Sequence, residues 1–195
     1  KRQNQKEIIR SFEKTKRKLY NVDLKTGSTK IVPLALDLPG SISLSKNSDA
    51  IAVLGRNYSG LNEIYQWRLN QPLKQISNST TQINNWNTPV NELVQWRSKD
   101  GAMIEGVLLK PKNYDPVKKY PLLVVIHGGP TGIDLPDPVP TYVYPIMQWT
   151  EKGALVLRVN YRGSAGYGEK FRSLNVSNLG VGDMWDVVSG VEYLN

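Results

Sequence analysis

The stretch Leu122-Leu123-Val124-Val125-Ile126-His127-Gly128-Gly129-Pro130 decides the fold of this chain. Its five consecutive apolar residues, bounded by Pro121 and by the glycine pair, predict a strand buried on both faces, as in a parallel sheet. Residues 154–159 form a second such run, and residues 142–152 between the two predict a crossover helix that holds Pro145 in its first turn. We therefore expect a right-handed β-α-β unit.

The glycine pair that follows the first strand is the candidate site. Two consecutive glycines allow backbone conformations closed to other residues and bring N–H groups close to a ligand. In α/β-hydrolases, a loop of this kind supplies one of the two N–H donors that stabilise a tetrahedral oxyanion. A turn without a catalytic role is the alternative interpretation of Gly128 and Gly129.

The chain before residue 79 has a different pattern. Short alternating segments are separated by polar turns at roughly ten-residue spacing, which predicts antiparallel sheets in a sandwich, a barrel or propeller blades. The predicted strands are residues 19–24, 29–34, 41–45, 50–54, 63–69 and 73–76. They amount to about one and a half propeller blades, whereas a closed propeller has at least four.

A polar stretch over residues 79–91, which contains Pro89, predicts a crossover between two domains. Immediately after it, residues 92–97 and 102–109 predict a hairpin around the turn signal Asp100-Gly101. Near the other end of the chain, Asp183 predicts a helix N-cap and Asp186 a weak capping-box partner. The apolar residues of that helix share one face by spacing and are expected to be buried: Met184, Val187, Val188 and Val191.

Composition excludes several classes of site. The chain has 195 residues, a net charge of +8, no cysteine and one histidine. The missing thiols exclude a disulfide scaffold, a cysteine-ligated zinc and a cysteine nucleophile, and the single histidine excludes a multi-histidine metal site. We therefore expect neither a metal nor an organic cofactor. No apolar run approaches the roughly 18 residues of a membrane span, and the sequence leaves localisation undetermined.

The positive charge is concentrated at one end. Residues 1–20 carry eight Lys or Arg and two Glu, a net +6 of the total +8. This run is either an arm that binds nucleic acid or an anionic surface, or a solvated edge. No aromatic stacking residues or nucleic-acid motif accompany it, so we favour the solvated edge and expect no nucleic-acid partner.

Over residues 90–195 the sequence resembles the prolyl oligopeptidase family of serine peptidases, especially its acylaminoacyl-peptidase and dipeptidyl-aminopeptidase-like branch. The resemblance rests on short motifs in a fixed order: Trp96-Arg97-Ser98-Lys99-Asp100-Gly101, Ile104-Glu105-Gly106, Lys110-Pro111, Tyr120-Pro121-Leu122-Leu123, His127-Gly128-Gly129-Pro130, Asn160-Tyr161-Arg162-Gly163-Ser164, Gly166-Tyr167-Gly168 and Gly180-Val181-Gly182-Asp183. It implies that residues 1–78 are the last strands of a β-propeller, that 79–91 are a linker, and that 92–195 are the first half of an α/β-hydrolase domain.

The resemblance also implies residue roles. Gly129, with Gly128 as the alternative, would donate its backbone N–H to the oxyanion. The residues expected to shape this loop are His127, Pro130, Tyr161 and Arg162. Asp183 and Asp186 are expected to cap the helix and to carry charge at its end, without a catalytic role.

The nucleophile of such peptidases sits in a Gly-x-Ser-x-Gly turn, and this sequence contains none. We therefore expect the serine, the acid and the base to lie beyond Asn195, in a longer parent that hydrolyses short peptides, and the 195 residues alone to be inactive. Two alternatives remain: a catalytically inactive propeller–hydrolase that serves as a binding or scaffold module, and a carboxylesterase with a His-Gly-Gly loop. The strand at 154–159 is expected to lack a neighbour, which predicts self-association or pairing with the missing half of the domain.

Overall fold

The structure is a computed structural model that describes residues 6–47, 49–68, 70–140 and 144–195. The chain divides into two compact units, Lys1–Asn84 and Asn85–Asn195. The division falls inside the polar stretch 79–91, where a short 3-10 helix runs from Thr81 to Asn85. The domain limits given above stay a prediction.

The first unit consists of two antiparallel sheets whose strands follow chain order. One sheet contains β1 (Lys6–Glu13), β2 (Lys16–Asp23) and β3 (Thr29–Ile31). The other contains β4 (Leu38–Leu44), β5 (Ala50–Arg56), β6 (Glu63–Arg68) and β7 (Lys74–Gln75). Side chains of both sheets and of the connection between β3 and β4 form one apolar cluster around Leu19, Val32, Leu36, Ile51 and Val53. Up-and-down sheets of this kind are the repeating element of a propeller blade.

The basic first segment contains a strand that the sequence did not predict, at the edge of its sheet. Within it, residues 6–13 form β1, which pairs with β2 over its full length, from Lys6 opposite Asp23 to Glu13 opposite Lys16. Ile8 packs against the apolar cluster, and the guanidinium of Arg17 lies 5.0 Å from the ring centroid of Phe12. The density of Lys and Arg concealed this strand, because their aliphatic stems cover apolar surface while the charges stay in water.

Strand limits in the first unit also shift. The strand predicted at 41–45 begins at Leu38, and its ladder changes register between Pro39 and Ile42. A proline that cannot donate to the ladder is tolerated at such an irregularity. The strand predicted at 29–34 ends at Ile31, and the last residue of the one predicted at 63–69 lies outside the described residues.

The second unit is a mixed sheet with helices on both faces. Its elements are β8 (Val90–Arg97), β9 (Met103–Lys110), β10 (Leu122–Ile126), α1 (Ile146–Glu151), β11 (Leu155–Asn160), α2 (Glu169–Arg172) and α3 (Gly182–Tyr193), with a 3-10 turn at Ser173–Asn175. The sheet order is β10-β11-β9-β8. The strands β10 and β11 are parallel, which confirms the predicted pair. Val156 of β11 belongs to a buried apolar cluster on one face of the sheet, together with Ile146 of α1. Its neighbour Leu157 belongs to a second cluster on the other face, against which Val187 of α3 packs.

The prediction that the strand at 154–159 lacks a neighbour is wrong. This strand, β11, lies between β10 and β9, and Val156 and Val159 are fully buried. Among the described residues the edge strands of this sheet are β10 and β8, and each has a single strand neighbour. An unbroken apolar run reveals burial on both faces, but it carries no information on the order of strands in the sheet.

The two predicted helices also need correction. The crossover helix begins at Ile146, directly after Pro145, and its predicted first residues, 142–143, lie outside the described residues. In α3 the N-cap is Val181 rather than Asp183, whose carboxylate accepts the N–H of Met184 within the first turn.

The predicted apolar face of α3 is only partly buried: Val187 packs against the core, and Val188 and Val191 are half-buried. The buried residues of the helix are Gly182, Asp186, Ser189 and Gly190, whereas Met184 is exposed. The reason is the indole of Trp96, which fills the space between sheet and helix. A Cβ added at Gly190 would lie 2.7 Å from that ring, so the helix presents small residues to the sheet there.

Candidate active site

The glycine pair lies at the carboxyl end of β10, where a loop leads from His127 to Asp134. Gly128 and Gly129 are exposed, and within the described ranges neither N–H donates a hydrogen bond to the protein. Gly129 has φ +135°, and a Cβ there would lie 2.6 Å from the backbone N of Gly132. The position therefore requires glycine. The Gly129–Pro130 peptide is cis.

The first residue of the loop, His127, is buried against Tyr161. Their rings stack with centroids 4.5 Å apart, and the Tyr161 hydroxyl donates to the His127 carbonyl at 2.8 Å. His127 Nε2 lies 3.0 Å from Ser164 Oγ, and that hydroxyl donates to the Tyr161 carbonyl at 2.6 Å. These contacts support the loop-shaping role that was predicted for His127 and Tyr161, a role that stays a prediction.

The His127–Ser164 contact has the composition of a nucleophile–base pair but not its surroundings. Ser164 is fully buried, and its hydroxyl proton is directed to a backbone carbonyl. The other ring nitrogen of His127 faces the carbonyl oxygen of Gly128 at 3.1 Å rather than a carboxylate. A substrate carbonyl cannot reach Ser164 Oγ, so the pair serves packing and not acyl transfer.

At the far end of the loop lie Asp134 and Asn160, two residues to which the sequence analysis assigned no role, although Asn160 belongs to one of the quoted motifs. The Asp134 carboxylate is paired with Arg158, and the burial of that carboxyl raises its pKa while the guanidinium opposes the rise. Asn160 is fully buried and bonds the backbone of Asp134 on both sides. In the middle of the loop, the Ala165 N–H donates to the Gly132 carbonyl at 3.0 Å.

Arg162 joins three parts of the second unit. Its guanidinium binds Asp186 on α3 and Asp100 in the β8–β9 turn, with closest distances of 2.8 and 2.7 Å. The hydrogen bonds that Arg162 donates to Asp186 and then to Asp100 raise the pKa of Arg162, and the guanidinium lowers the pKa of Asp100 to about 2. These ion pairs support the loop-shaping role predicted for Arg162, which stays a prediction. Asp186, by contrast, is no helix-end charge: it is fully buried and accepts from Arg162.

Two free N–H donors at the end of a parallel strand can stabilise an oxygen that becomes negative during a reaction. Pro130 follows the donors and is half-buried.

In the described part of the chain no three His, Asp or Glu side chains come together as metal ligands. No described helix has the length and apolar character that a bilayer crossing needs. A cavity of about 540 Å³ between β8 and α3, lined by Trp96, Lys99, Trp185 and neighbouring residues, does not include the glycine loop.

Comparisons with known proteins identify relatives of this chain. Residues 141–195 match the prolyl oligopeptidase family. The chain is 31% identical over 131 residues to the uncharacterized peptidase YuxL of Bacillus subtilis, a match that covers 67% of this chain and 19% of that protein. It is 35% identical over 94 residues to dipeptidyl-peptidase 5 of Schizosaccharomyces pombe, covering 48% of this chain and 14% of that one. The chain thus spans about a fifth or less of the length of these relatives.

Solved structures share the fold. The uncomplexed acylaminoacyl peptidase of Pyrococcus horikoshii superposes with a TM-score of 0.78 at 24% identity, over 97% of this chain and 29% of that one. An acylaminoacyl peptidase in complex with Z-Gly-Gly-Phe-chloromethyl ketone gives 0.76 at 22% identity, over 98% and 31%. These likenesses confirm the predicted fold class, the last strands of a β-propeller followed by the first half of an α/β-hydrolase domain. On the sequence matches, the chain belongs to the prolyl oligopeptidase family.

Proposed function

We propose that this chain supplies the oxyanion loop of a serine peptidase that cleaves short peptides by acyl transfer. The observation that carries the proposal is the pair of unbonded N–H groups at Gly128 and Gly129, fixed at the end of a buried parallel strand. During serine attack the substrate carbonyl oxygen becomes negative, and donors already aimed at it lower the barrier by about 3–4 kcal/mol each. Gly129 is the preferred donor, and Gly128 is the alternative.

The other parts of the catalytic apparatus are proposed to lie outside these residues. The sequence has no Gly-x-Ser-x-Gly turn, and its single histidine is buried in the loop by Tyr161 and Ser164. The strand that carries the nucleophile is proposed to pair with the open edge of β10, which would complete the sheet in the parent protein. Loss of even one triad member costs orders of magnitude in rate, so the 195 residues alone are inactive.

The names of the relatives, dipeptidyl and acylaminoacyl peptidases, favour a peptide substrate and an exopeptidase mode in the parent. A carboxylesterase is the second enzyme candidate because its chemistry uses the same oxyanion donors. Rates of the full-length protein on p-nitrophenyl acyl esters and on peptide anilides separate the two. A catalytically inactive scaffold would show neither activity.

A fluorophosphonate probe, which phosphonylates activated serines, tests the division of the site between this chain and the rest of the parent. We expect no labelling of the 195-residue chain and stoichiometric labelling of one serine in the full-length protein, detected by intact mass. Labelling of any serine in residues 1–195 contradicts the proposal, since it would place the nucleophile here. A full-length protein that neither reacts nor hydrolyses anilides contradicts the peptidase assignment itself.

A further inference from the structure

Asn160, the last residue of β11, makes an unusually complete set of contacts for a buried amide. Its Oδ1 accepts the backbone N–H of Asp134 at 2.7 Å, and its Nδ2 donates to the carbonyl of the same residue at 2.9 Å. The side chain thus pairs with one backbone residue on both sides, as a neighbouring strand would. In this position the buried amide supplies the two backbone hydrogen bonds that a neighbouring β-strand would otherwise make with Asp134.

The orientation of the Asn160 amide is fixed by a third contact. Nδ2 also donates to the Tyr167 hydroxyl at 3.2 Å, and that hydroxyl donates its own proton to Glu105 on β9 at 2.8 Å. The Tyr167 oxygen is therefore an acceptor toward Asn160. Both protons of Nδ2 are used, and rotation of the amide by 180° would place oxygen against two acceptors.

These contacts define where the glycine loop ends in space. At the start of the loop, Tyr161 donates to the His127 carbonyl. In its middle Ala165 donates to the Gly132 carbonyl, and at its end Asn160 binds the backbone of Asp134. All three anchors belong to residues 160–165. The N–H groups of Gly128 and Gly129 are therefore positioned relative to β11 through both ends of their loop.

We propose that Asn160 is a positioning residue for the oxyanion donors. It touches no substrate; it acts by holding the backbone of Asp134, and so the loop that presents Gly129. This inference rests on the peptidase function proposed above. Because a displacement of about 1 Å in a reacting group costs roughly a hundredfold in rate, release of this anchor lowers turnover more than it lowers substrate binding.

The chain contains a matched control. Asn91 on β8 pairs with the backbone of Asp137 in the same way, with Nδ2 donating to the carbonyl at 3.1 Å and Oδ1 accepting the N–H at 3.3 Å. This second anchor lies three residues further from the glycine pair and beyond the first. Asn91 is half-buried, whereas Asn160 is fully buried, but the same substitution there removes the same kind of backbone pairing without releasing the glycine loop.

The test compares Asn160→Asp with Asn91→Asp in the full-length protein. Asn160→Asp keeps the volume and one acceptor but places oxygen against the Asp134 carbonyl. We expect kcat on a peptide anilide to fall about ten- to a hundredfold with KM within about threefold of wild type. Inhibition by a peptide aldehyde, whose hemiacetal oxygen uses the oxyanion donors, should weaken by the same factor, while inhibition by the product acid does not change. Asn91→Asp should stay within about twofold of wild type on all three measurements.

The outcomes separate the inference from the function on which it rests. An active wild type with unchanged kcat in Asn160→Asp overturns the positioning role alone, as does an equal loss in Asn91→Asp. An inactive wild type that ignores the fluorophosphonate overturns the peptidase function, and the positioning role with it.

If Asn160→Asp does not fold, the variant Tyr167→Phe tests the positioning role of Asn160 instead. That variant frees one Nδ2 proton of Asn160 and leaves both bonds to Asp134, and a fall in kcat of about threefold is expected. A wild-type rate in Tyr167→Phe, together with rapid hydrogen exchange of the Asp134 amide in the wild type, overturns the inference.

Discussion

Arg162 binds two carboxylates that differ strongly in exposure, and this difference predicts unequal costs of removal. Asp186 is fully buried and accepts three bonds from Arg162: from the backbone N–H at 2.7 Å, from Nε at 3.0 Å and from Nη2 at 2.8 Å. The Asp100 side chain is 56% exposed and accepts from Nη1 at 2.7 Å and from Nη2 at 3.0 Å. The bond lengths are alike, so burial decides.

The substitutions Asp186→Asn and Asp100→Asn measure the two pairs with little change of volume. Removing one partner of a buried ion pair costs about 3–5 kcal/mol because the other charge stays uncompensated. Since Arg162 keeps Asp100 and the Ser98 hydroxyl at 3.3 Å, we expect the lower value, about 3 kcal/mol, for Asp186→Asn. An exposed pair contributes about 0.2–1 kcal/mol, which sets the expectation for Asp100→Asn.

Urea unfolding of the chain, followed by tryptophan fluorescence, provides the measurement. Four of the five tryptophans (Trp86, Trp96, Trp149 and Trp185) belong to the unit that contains Arg162, and the Trp96 indole donates to the carbonyl of Asp186. With an m-value of about 1.5 kcal/mol/M, the midpoint should fall by about 2 M in Asp186→Asn and by about 0.1–0.7 M in Asp100→Asn. Equal midpoint shifts, or a shift below about 0.5 M for Asp186→Asn, would refute the argument from burial.

Two further predictions concern the glycine loop and the first unit. Gly129→Ala in the full-length protein should lower kcat at least about tenfold, because a Cβ there meets the backbone N atoms of Gly132 and Thr131 at 2.6 and 2.7 Å. Gly101→Ala, which has φ +86° but open space around its Cβ, isolates the cost of the backbone conformation and should leave kcat unchanged; equal kcat values in the two variants would contradict the assignment. Hydrogen bonds from Ser77 and then Thr80 lower the pKa of Glu63 to about 2, below its usual 4.5, so its stabilisation is present above pH 4.5 and is lost as the pH falls toward 2. Amide protection factors in β5 and β6 should therefore decrease over that range in the wild type and stay constant in Glu63→Gln, and a parallel decrease in both proteins would exclude Glu63 as the cause.

The parallel pair shows how far local pattern reaches. The limits of β10 match the apolar run 122–126, and β11 is displaced by one residue from the run 154–159. The order of these strands could not be read from the sequence, because hydrophobicity is the same whether a buried strand is central or at an edge. Strand β1 was not predicted, because charged residues flank its inward-facing Ile8 and hide the apolar pattern. Such charges are tolerated in a strand at the edge of a sheet.

The candidate site, like the fold, was predicted from the sequence only in part. The sequence pointed to the glycine pair and predicted loop-shaping roles for Tyr161 and Arg162, and these roles stay predictions. It assigned Asp186 to a helix end, because spacing along a helix does not reveal that the guanidinium of Arg162, from another loop, binds this carboxylate. It placed Asn160 in a family motif but predicted no role for it, because its partner Asp134 lies 26 residues away in the chain and is bonded through its backbone.

By itself, the sequence determined the glycine loop, the parallel strand before it, the succession of a β-rich segment and an α/β segment, and the lack of a nucleophile turn. These properties are local, because each depends on residue types within a few positions. Only the tertiary structure decided that β11 is central, that α3 turns small residues toward Trp96, and that residues 160–165 anchor the glycine loop at three points. Those features depend on which distant side chains and backbone groups satisfy one another once water is excluded, and residue spacing does not record that choice.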